Sequence, residues 1–307
     1  MNAVVEVMHD GSVRPYPAAA WNRWDMKPGT ALNHFVCVQS VVADDQDSLW
    51  VLDPAAPLLG PVVADAAKLV RIDLGTNQVR RVYSFHRNVV KLDSYLNDVR
   101  IDNRRNTAYM TDSGVGGIVV LDLESGKAHR ALDGHPSVMA ERGIRISVNG
   151  KPVVGPAGQA PQFNSDGIAL SSDGEYLYYQ ALTGASIYRV KTSALQQSSV
   201  SSGVTAAGLA STVVEEVAKT FPCDGLWMDA EDRLYLSNIN ESAVSRLSRD
   251  GSLEKLVSDP RLQWPDTFSQ GPDGAIYITA SHINDAPQFN AGKSPRTEPY
   301  SVFKFIP

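Results

Sequence analysis

The chain has 307 residues, 43% of them hydrophobic and 20% charged, with a formal net charge of -6. That composition is ordinary for a water-soluble globular protein, and the acidic balance offers no basic footprint for nucleic acid. No apolar run approaches the roughly 18 residues of a membrane-spanning helix, and the N-terminus shows no basic stretch followed by a long apolar core, so no signal peptide is legible.

Taken in chain order, two kinds of strand pair alternate. "VVEVMHDGSVRPYP" (4–17) is a strand, a polar turn and a second strand. The only Trp-Asp pair, Trp24-Asp25, lies outside the alternation, so this is not a WD-repeat array. "QSVVADDQDSLWVLD" begins at Gln39 with a polar residue, runs through a short strand to an Asp-rich turn, and returns through Trp50. "KLVRIDLGTNQVRRVYS" (68–84) resumes the first kind. The second kind recurs as "NDVRIDNRRNTAYMTD" from Asn97, "DGIALSSDGEYLYYQ" from Asp166, "DGLWMDAEDRLYLSN" from Asp224 and "DTFSQGPDGAIYITA" from Asp266. The first kind recurs at 117–132, 186–195 and 243–257, and "YSVFKFIP" (300–307) closes the chain.

Five residues after each leading polar residue stands Asp44, Asp102, Ser171, Asp229 or Gly271, and each return strand carries an aromatic. A constant offset with Asp/Gly turns predicts β-hairpins. Hairpin upon hairpin, repeated at roughly 40–60 residues, predicts four-stranded antiparallel sheets in a β-propeller. The expected fold is all-β, a single domain over 1–307 forming a six-bladed β-propeller. There are six outer units and five inner ones, so the first blade lacks its inner hairpin, and a longer native product is expected. Three stretches break the rhythm, at about 135–164, 192–220 and 281–300. The first holds an Asn149-Gly150 hairpin signal; the second predicts a short helix near 206–218. Loops of this length are lids, binding loops or plain surface insertions.

If each inner hairpin starts at a common axis, Gln39, Asn97, Asp166, Asp224 and Asp266 form an oxygen-rich ring suited to a hard cation such as Ca²⁺ or Mg²⁺. An Asp-Gly pair before a strand is equally a turn signature, and that alternative stays open. Histidine is the side chain for proton transfer near neutral pH. His34, five residues before Gln39, and His282, just after the last inner hairpin, are the candidates; His9, His86, His129 and His135 fall in outer units or loops. Trp227 and Tyr235 are read as packing between blades. Cys37 and Cys223 match no metal motif, and the sequence leaves their pairing and the compartment open. The Asn240-Glu241-Ser242 sequon bears only on a secreted eukaryotic protein. No phosphate-cradling glycine loop and no Gly-x-Ser-x-Gly elbow is present, so no organic cofactor is indicated and serine nucleophile chemistry is disfavoured.

"LNDVRID", "NSDGIALSSDGEYLYY", "FPCDGLWMDAEDRLYLSN" and "WPDTFSQGPDGAIYITASHIND" together resemble the Yellow and major royal jelly protein family, in a bacterial-type form. The resemblance runs from about residue 30 to the end and implies a six-bladed propeller, with roles as varied as pigment-pathway conversion and small-amine binding. A more distant resemblance is to the senescence marker protein and gluconolactonase propellers, which hold one divalent metal with a Glu, two Asn and an Asp. "NDVRID", "SDGI" and "CDGL" are similar to that family's ligand motifs, which implies metal ligands at Asn97, Asp166 and Asp224. Asp166 stands where that family has Asn, and the Glu belongs to the inner hairpin missing here. The resemblance implies a divalent-metal-assisted lactone or ester hydrolase acting on a small polar molecule. Asp224, His34 or His282 would carry the proton work, and Gln39, Asp98 and Asp266 would line the site. A Yellow-like binding protein, an isomerase or cyclase, and a structural propeller are the alternatives.

Overall fold

The computed structural model describes residues 2–27, 29–197, 213–296 and 300–307. They fall into two compact units, Met1–Ala131 and Leu132–Pro307. Both units are built from one block, an antiparallel sheet whose strands pair in chain order, which is the blade of a β-propeller.

The first unit opens with a two-stranded ribbon, β1 (Val5–Val7) and β2 (Val13–Pro15). Its first blade is β3 (Ser40–Ala43), β4 (Ser48–Asp53), β5 (Lys68–Asp73) and β6 (Gln78–Ser84). Its second is β7 (Leu96–Asp102), β8 (Thr107–Asp112), β9 (Ile118–Asp122) and β10 (Ala128–Ala131). β4, β8 and β9 are buried along almost their whole length because both of their faces are covered, and β4 and β9 accordingly read as near-continuous apolar runs. Trp50, Leu52, Leu69, Leu96 and Met110 lie in one core between the two blades.

The second unit begins with a short hairpin, β11 (Ser147–Val148) and β12 (Lys151–Pro152), turning at the predicted Asn149-Gly150. Asn149 and Gly150 both have positive φ, as a two-residue hairpin turn requires. The third blade is β13 (Ser165–Leu170), β14 (Tyr176–Ala181), β15 (Ser186–Lys191) and β16 (Val214–Lys219), with one helical turn, α1 (Thr192–Gln197), after β15. The fourth is β17 (Cys223–Met228), β18 (Leu234–Asn238), β19 (Ala243–Leu247) and β20 (Leu253–Ser258). The fifth has three strands, β21 (Pro265–Gln270), β22 (Ile276–Ala280) and β23 (Ser301–Phe305).

The expected count of six blades is not reproduced: the described residues form five blade-type sheets. The β1–β2 ribbon is the sixth outer unit, and no inner hairpin pairs with it among the described residues. The helix expected near 206–218 is also corrected. Residues 206–212 lie outside the described residues, and 214–219 is β16, held by pairing to β15. "VEEVAK" is mostly exposed and pairs with β15 through one register shift, as an outer strand can, so sheet pairing decides over the helix-forming composition before it. Among the described residues no helix is long and apolar enough to cross a membrane, which leaves β-barrels aside.

Candidate functional site

Four of the five leading polar residues sit at one structural feature. The register between inner strands slips between Leu96 and Val99, Ser165 and Ile168, Cys223 and Leu226, and Pro265 and Phe268. Each slip is a β-bulge, which frees a residue from the ladder and re-aims its side chain. The bulged pairs are Asn97-Asp98, Asp166-Gly167, Asp224-Gly225 and Asp266-Thr267. In three of them the amides are served from the return strand: Thr111 accepts from Asp98, Ser237 from Asp224 and Gly225, and Thr279 from Thr267. Gln39 is the exception, because β3 pairs with β4 without a slip.

Glycine at the bulge is a demand of space. A Cβ at Gly167 would collide with the Asp224 carbonyl oxygen, and one at Gly225 with the Asp266 carbonyl oxygen. Neighbouring bulges in the second unit therefore stack backbone on backbone. The Asp166-Gly167 and Asp224-Gly225 pairs lie within strands and do not form the hairpin turns. That role falls to the residues five positions on: Asp44, Asp102 and Asp229 each accept two backbone N–H bonds within their own turns.

In the first unit the structure brings Gln39 and Asn97 together. Gln39 Nε2 donates to Asn97 Oδ1 at 3.1 Å, Tyr95 donates to Gln39 Oε1 at 2.7 Å, and Asn97 Nδ2 donates to Ser113 Oγ at 3.1 Å. Asp98 is buried, and burial pushes its carboxyl up against the opposing pull of Arg100 and of a hydrogen bond with Ser40. His34 has its Nδ1 2.8 Å from the Thr30 carbonyl oxygen. The segment leading to Gln39 is tied down from below. Asp53 accepts from the amides of Val36, Cys37 and Ala55 and from Lys68 Nζ at 2.8 Å.

In the second unit Asp166 and Asp224 are both buried. Asp224 Oδ2 accepts from the indole N–H of Trp264 at 2.6 Å. Burial pushes the Cys223 thiol up, and the charges of Asp224 and Asp166 add to it. Asp266 is half-buried and accepts from Thr267 Oγ1 at 3.1 Å. Trp227 and Tyr235 pack with centroids 5.1 Å apart, as expected of packing residues. Cys37 and Cys223 are both free. Among the described residues no group of three or more His, Cys, Asp or Glu could hold a metal ion.

His282 stands on the wall of a cavity of about 540 Å³ in this unit. One side of the cavity is the β11–β12 hairpin. It is pinned by Asn149 Nδ2 to the Pro260 carbonyl oxygen at 3.2 Å and by the Ser147 amide to Asn240 Oδ1 at 2.9 Å. Asn240 and the buried Ser242 of the sequon are thus engaged in holding this hairpin, since Ser242 Oγ also donates to Asn149 Oδ1. Ile146, Val148 and Val153 anchor it on Leu182, Ile239 and Trp264. The other side is the polar loop after β22. There His282 Nδ1 lies 3.1 Å from Asp285 Oδ2, and Asn284 Nδ2 donates to Asp285 Oδ1 at 2.9 Å. His282 and Trp264 both have left-handed φ near +53°, a strained choice for large side chains. Trp264 links the two regions, since its carbonyl accepts from Ser281 while its indole holds Asp224.

Of the sequence candidates, the structure joins Gln39 with Asn97 in the first unit and puts Asp166 and Asp224 in one electrostatic neighbourhood in the second. Asp285, Asn284 and Gln263 escaped sequence reasoning. "SHIND" carried the signal for Asp285, three residues past His282, while Gln263 and Asn149 meet that loop only through folding.

The family model described as major royal jelly protein matches residues 36–286. No curated protein is matched. Among solved structures, one from a nidogen/laminin complex is 13% identical with a TM-score of 0.51, covering 88% of this chain and 80% of that one. A gluconolactonase from Xanthomonas campestris is 14% identical with a TM-score of 0.49, covering 81% and 71%. A protein of unknown function from Bacteroides thetaiotaomicron is 14% identical with a TM-score of 0.49; 80% of this chain is covered, which spans 52%, about half, of that chain. At such identities the first likeness speaks to fold alone.

Proposed function

This chain belongs to the major royal jelly protein family, and from that premise we propose a small-molecule-acting propeller protein that receives a small polar molecule beside His282. The observation that carries this reading is the His282–Asp285 pair on the wall of a cavity of about 540 Å³. That volume lies within the range of ligand pockets. A carboxylate only accepts, so Asp285 holds the imidazole with its proton on Nδ1 and leaves Nε2 to take or give one. The arrangement suits binding, or a proton transfer of the kind isomerisation and cyclisation need, without a nucleophilic serine. The sixth blade and a single domain over 1–307 belong to the same proposal. The β1–β2 ribbon, an outer pair with no inner pair among the described residues, supports the former.

Calorimetry of the full chain against a small-metabolite panel tests the site. His282→Ala is expected to weaken the best binder at least tenfold, and Asp285→Asn to weaken it less, with melting temperature preserved. Equal affinity in both variants would remove the site from this pocket.

A second reading is favoured by one observation, the two buried carboxylates Asp166 and Asp224 on stacked neighbouring bulges. Such a pair repels without a cation nearby. A divalent ion, Ca²⁺ or Mg²⁺, would be held there by Asp166 and Asp224. When bound it would polarise a lactone or ester carbonyl and acidify a water. The Trp264 bond to Asp224 is compatible with this, because ligating carboxylates are usually hydrogen-bonded from behind. Elemental analysis and titration with Ca²⁺, Mg²⁺, Mn²⁺ and Zn²⁺ decide it. The expected result is one ion per chain, lost in Asp224→Ala; no binding in the parent protein ends the hydrolase reading.

A further inference from the structure

In the first unit we infer a further site, a cleft that binds the phosphate group of a small phosphorylated molecule. It is a cavity of about 570 Å³ between the outer edge of the first blade and the β9–β10 turn of the second. β6 and the residues after it supply Arg81, Ser84, His86 and Asn88, and the turn supplies Ser125 and Lys127. All six residues are exposed, so a ligand arriving from solvent meets them directly.

Charge selects the ligand. Arg81 and Lys127 are cations, and no acid stands on the lining. Exposed cations elsewhere in this acidic chain pair with carboxylates, as Arg14 does with Glu6, Arg80 with Asp73 and Lys255 with Glu241. Arg81 and Lys127 form no salt bridge among the described residues. The two acids of the turn, Asp122 and Glu124, do not line the cavity. Asp122 accepts from the Ser125 amide at 2.6 Å; that bond, and more weakly the charge of Arg81, hold its carboxyl low.

Arg81 is also placed in advance. Its Nη1 donates to the Leu123 and Glu124 carbonyls at 2.8 and 3.1 Å, and the guanidinium lies 4.5 Å from the centroid of the Tyr83 ring. A Cβ on Gly126 would stand 3.0 Å from Nη2, so glycine in the turn leaves the guanidinium its place. Anchoring the turn accounts for Nη1. It leaves Nε and Nη2 without a hydrogen bond among the described residues, and it does not account for Lys127 on the same lining. An ordered guanidinium suits the oxygens of a phosphate and loses little freedom on binding. Two cations beside the donors of Ser84, Asn88 and Ser125 match a dianion with three acceptor oxygens better than a single carboxylate. The volume is that of a small-molecule pocket, so the phosphate carries an organic body.

The test uses the full chain at constant ionic strength with glucose 6-phosphate, inorganic phosphate, glucose and acetate. Calorimetry reads affinity, and NMR of the histidine rings reads arrival beside His86. Glucose 6-phosphate is expected to saturate one site, to move the His86 ring signals and to bind more tightly than inorganic phosphate. Glucose is expected to be silent and acetate to bind roughly tenfold more weakly, for want of a charge-assisted hydrogen bond. Lys127→Gln is expected to weaken the ester roughly tenfold with the melting temperature unchanged. Arg81→Gln should do the same; should it loosen the turn, Lys127→Glu, which reverses the charge, carries the comparison. Equal affinity in the parent and Lys127→Gln, or an unmoved His86 ring, overturns the site. Acetate binding as tightly as the ester overturns the phosphate class. Capture on phosphatidate vesicles without saturation by the soluble ester assigns the cleft to a lipid headgroup and overturns the small-molecule ligand. Binding of neither phosphate overturns the inference.

Discussion

Gly225→Ala is expected to lower stability by about 3 kcal/mol and the melting temperature by roughly 6–12 °C. The reason is a collision, with no conformational preference involved. Gly225 lies in β17 with φ outside the left-handed region, so alanine could adopt its backbone angles. An added Cβ would overlap the Asp266 carbonyl oxygen and lie 2.7 Å from the Asp266 carbonyl carbon. Both are backbone atoms of a paired strand, so relief requires β21 to move as a whole. That motion would disturb the Thr267–Thr279 bond and the Trp264–Asp224 bond together. Gly75→Ala is the control, because its Cβ would meet only Asp73 Oδ1 at 3.6 Å. Scanning calorimetry compares the two variants. Indistinguishable melting temperatures would show that the blades do not approach this closely.

Lys68→Met is expected to cost about 3–5 kcal/mol, read from chemical denaturation of the full chain. Lys68 and Asp53 are wholly buried and 2.8 Å apart. Burial pushes the Lys68 ammonium towards its neutral form, and Asp53 resists that shift. Methionine fills the space of the lysine stem but leaves Asp53 as a buried anion without its cation. Whatever the pair contributes relative to an apolar pair, removing one member leaves a charge that water cannot reach. The loss extends beyond stability. Asp53 also holds the Val36 and Cys37 amides, and that segment delivers Gln39 to Asn97. A Lys68→Met protein within 1 kcal/mol of the parent would mean that the backbone amides alone satisfy Asp53.

The phase of the repeat was readable because strands alternate and Asp-rich turns punctuate them. Asn97, Asp166, Asp224 and Asp266 do occupy equivalent positions, each opening a bulge. What was not readable was why glycine follows two of them. A turn and a close approach of two sheets ask for the same residue, and only the neighbouring sheet distinguishes them. Gln39 fitted the sequence pattern but lies before a strand with regular register, a difference of one residue in pairing that carries no compositional mark. The cavity was the least legible part. His282 could be picked by residue type, but its surroundings come from the short hairpin at 148–153, from Gln263 and from the loop 282–295, segments with no period to align. The strand at 214–219 was hidden for a related reason, since its pairing with β15 spans a long polar insertion.

The hydroxyls of Thr111, Ser237 and Thr279 have a consequence for how this fold can change over generations. At each of these bulges the ladder is completed by a residue on the opposite strand, so the side chain that opens the bulge is spared from holding the sheet together. Its identity is free to drift, and asparagine in one blade and aspartate in the next are both accommodated by the same backbone. The scaffold thus separates inheritance of shape from inheritance of chemistry. Duplicated blades can keep their pairing while each explores a different reactive group at the same address.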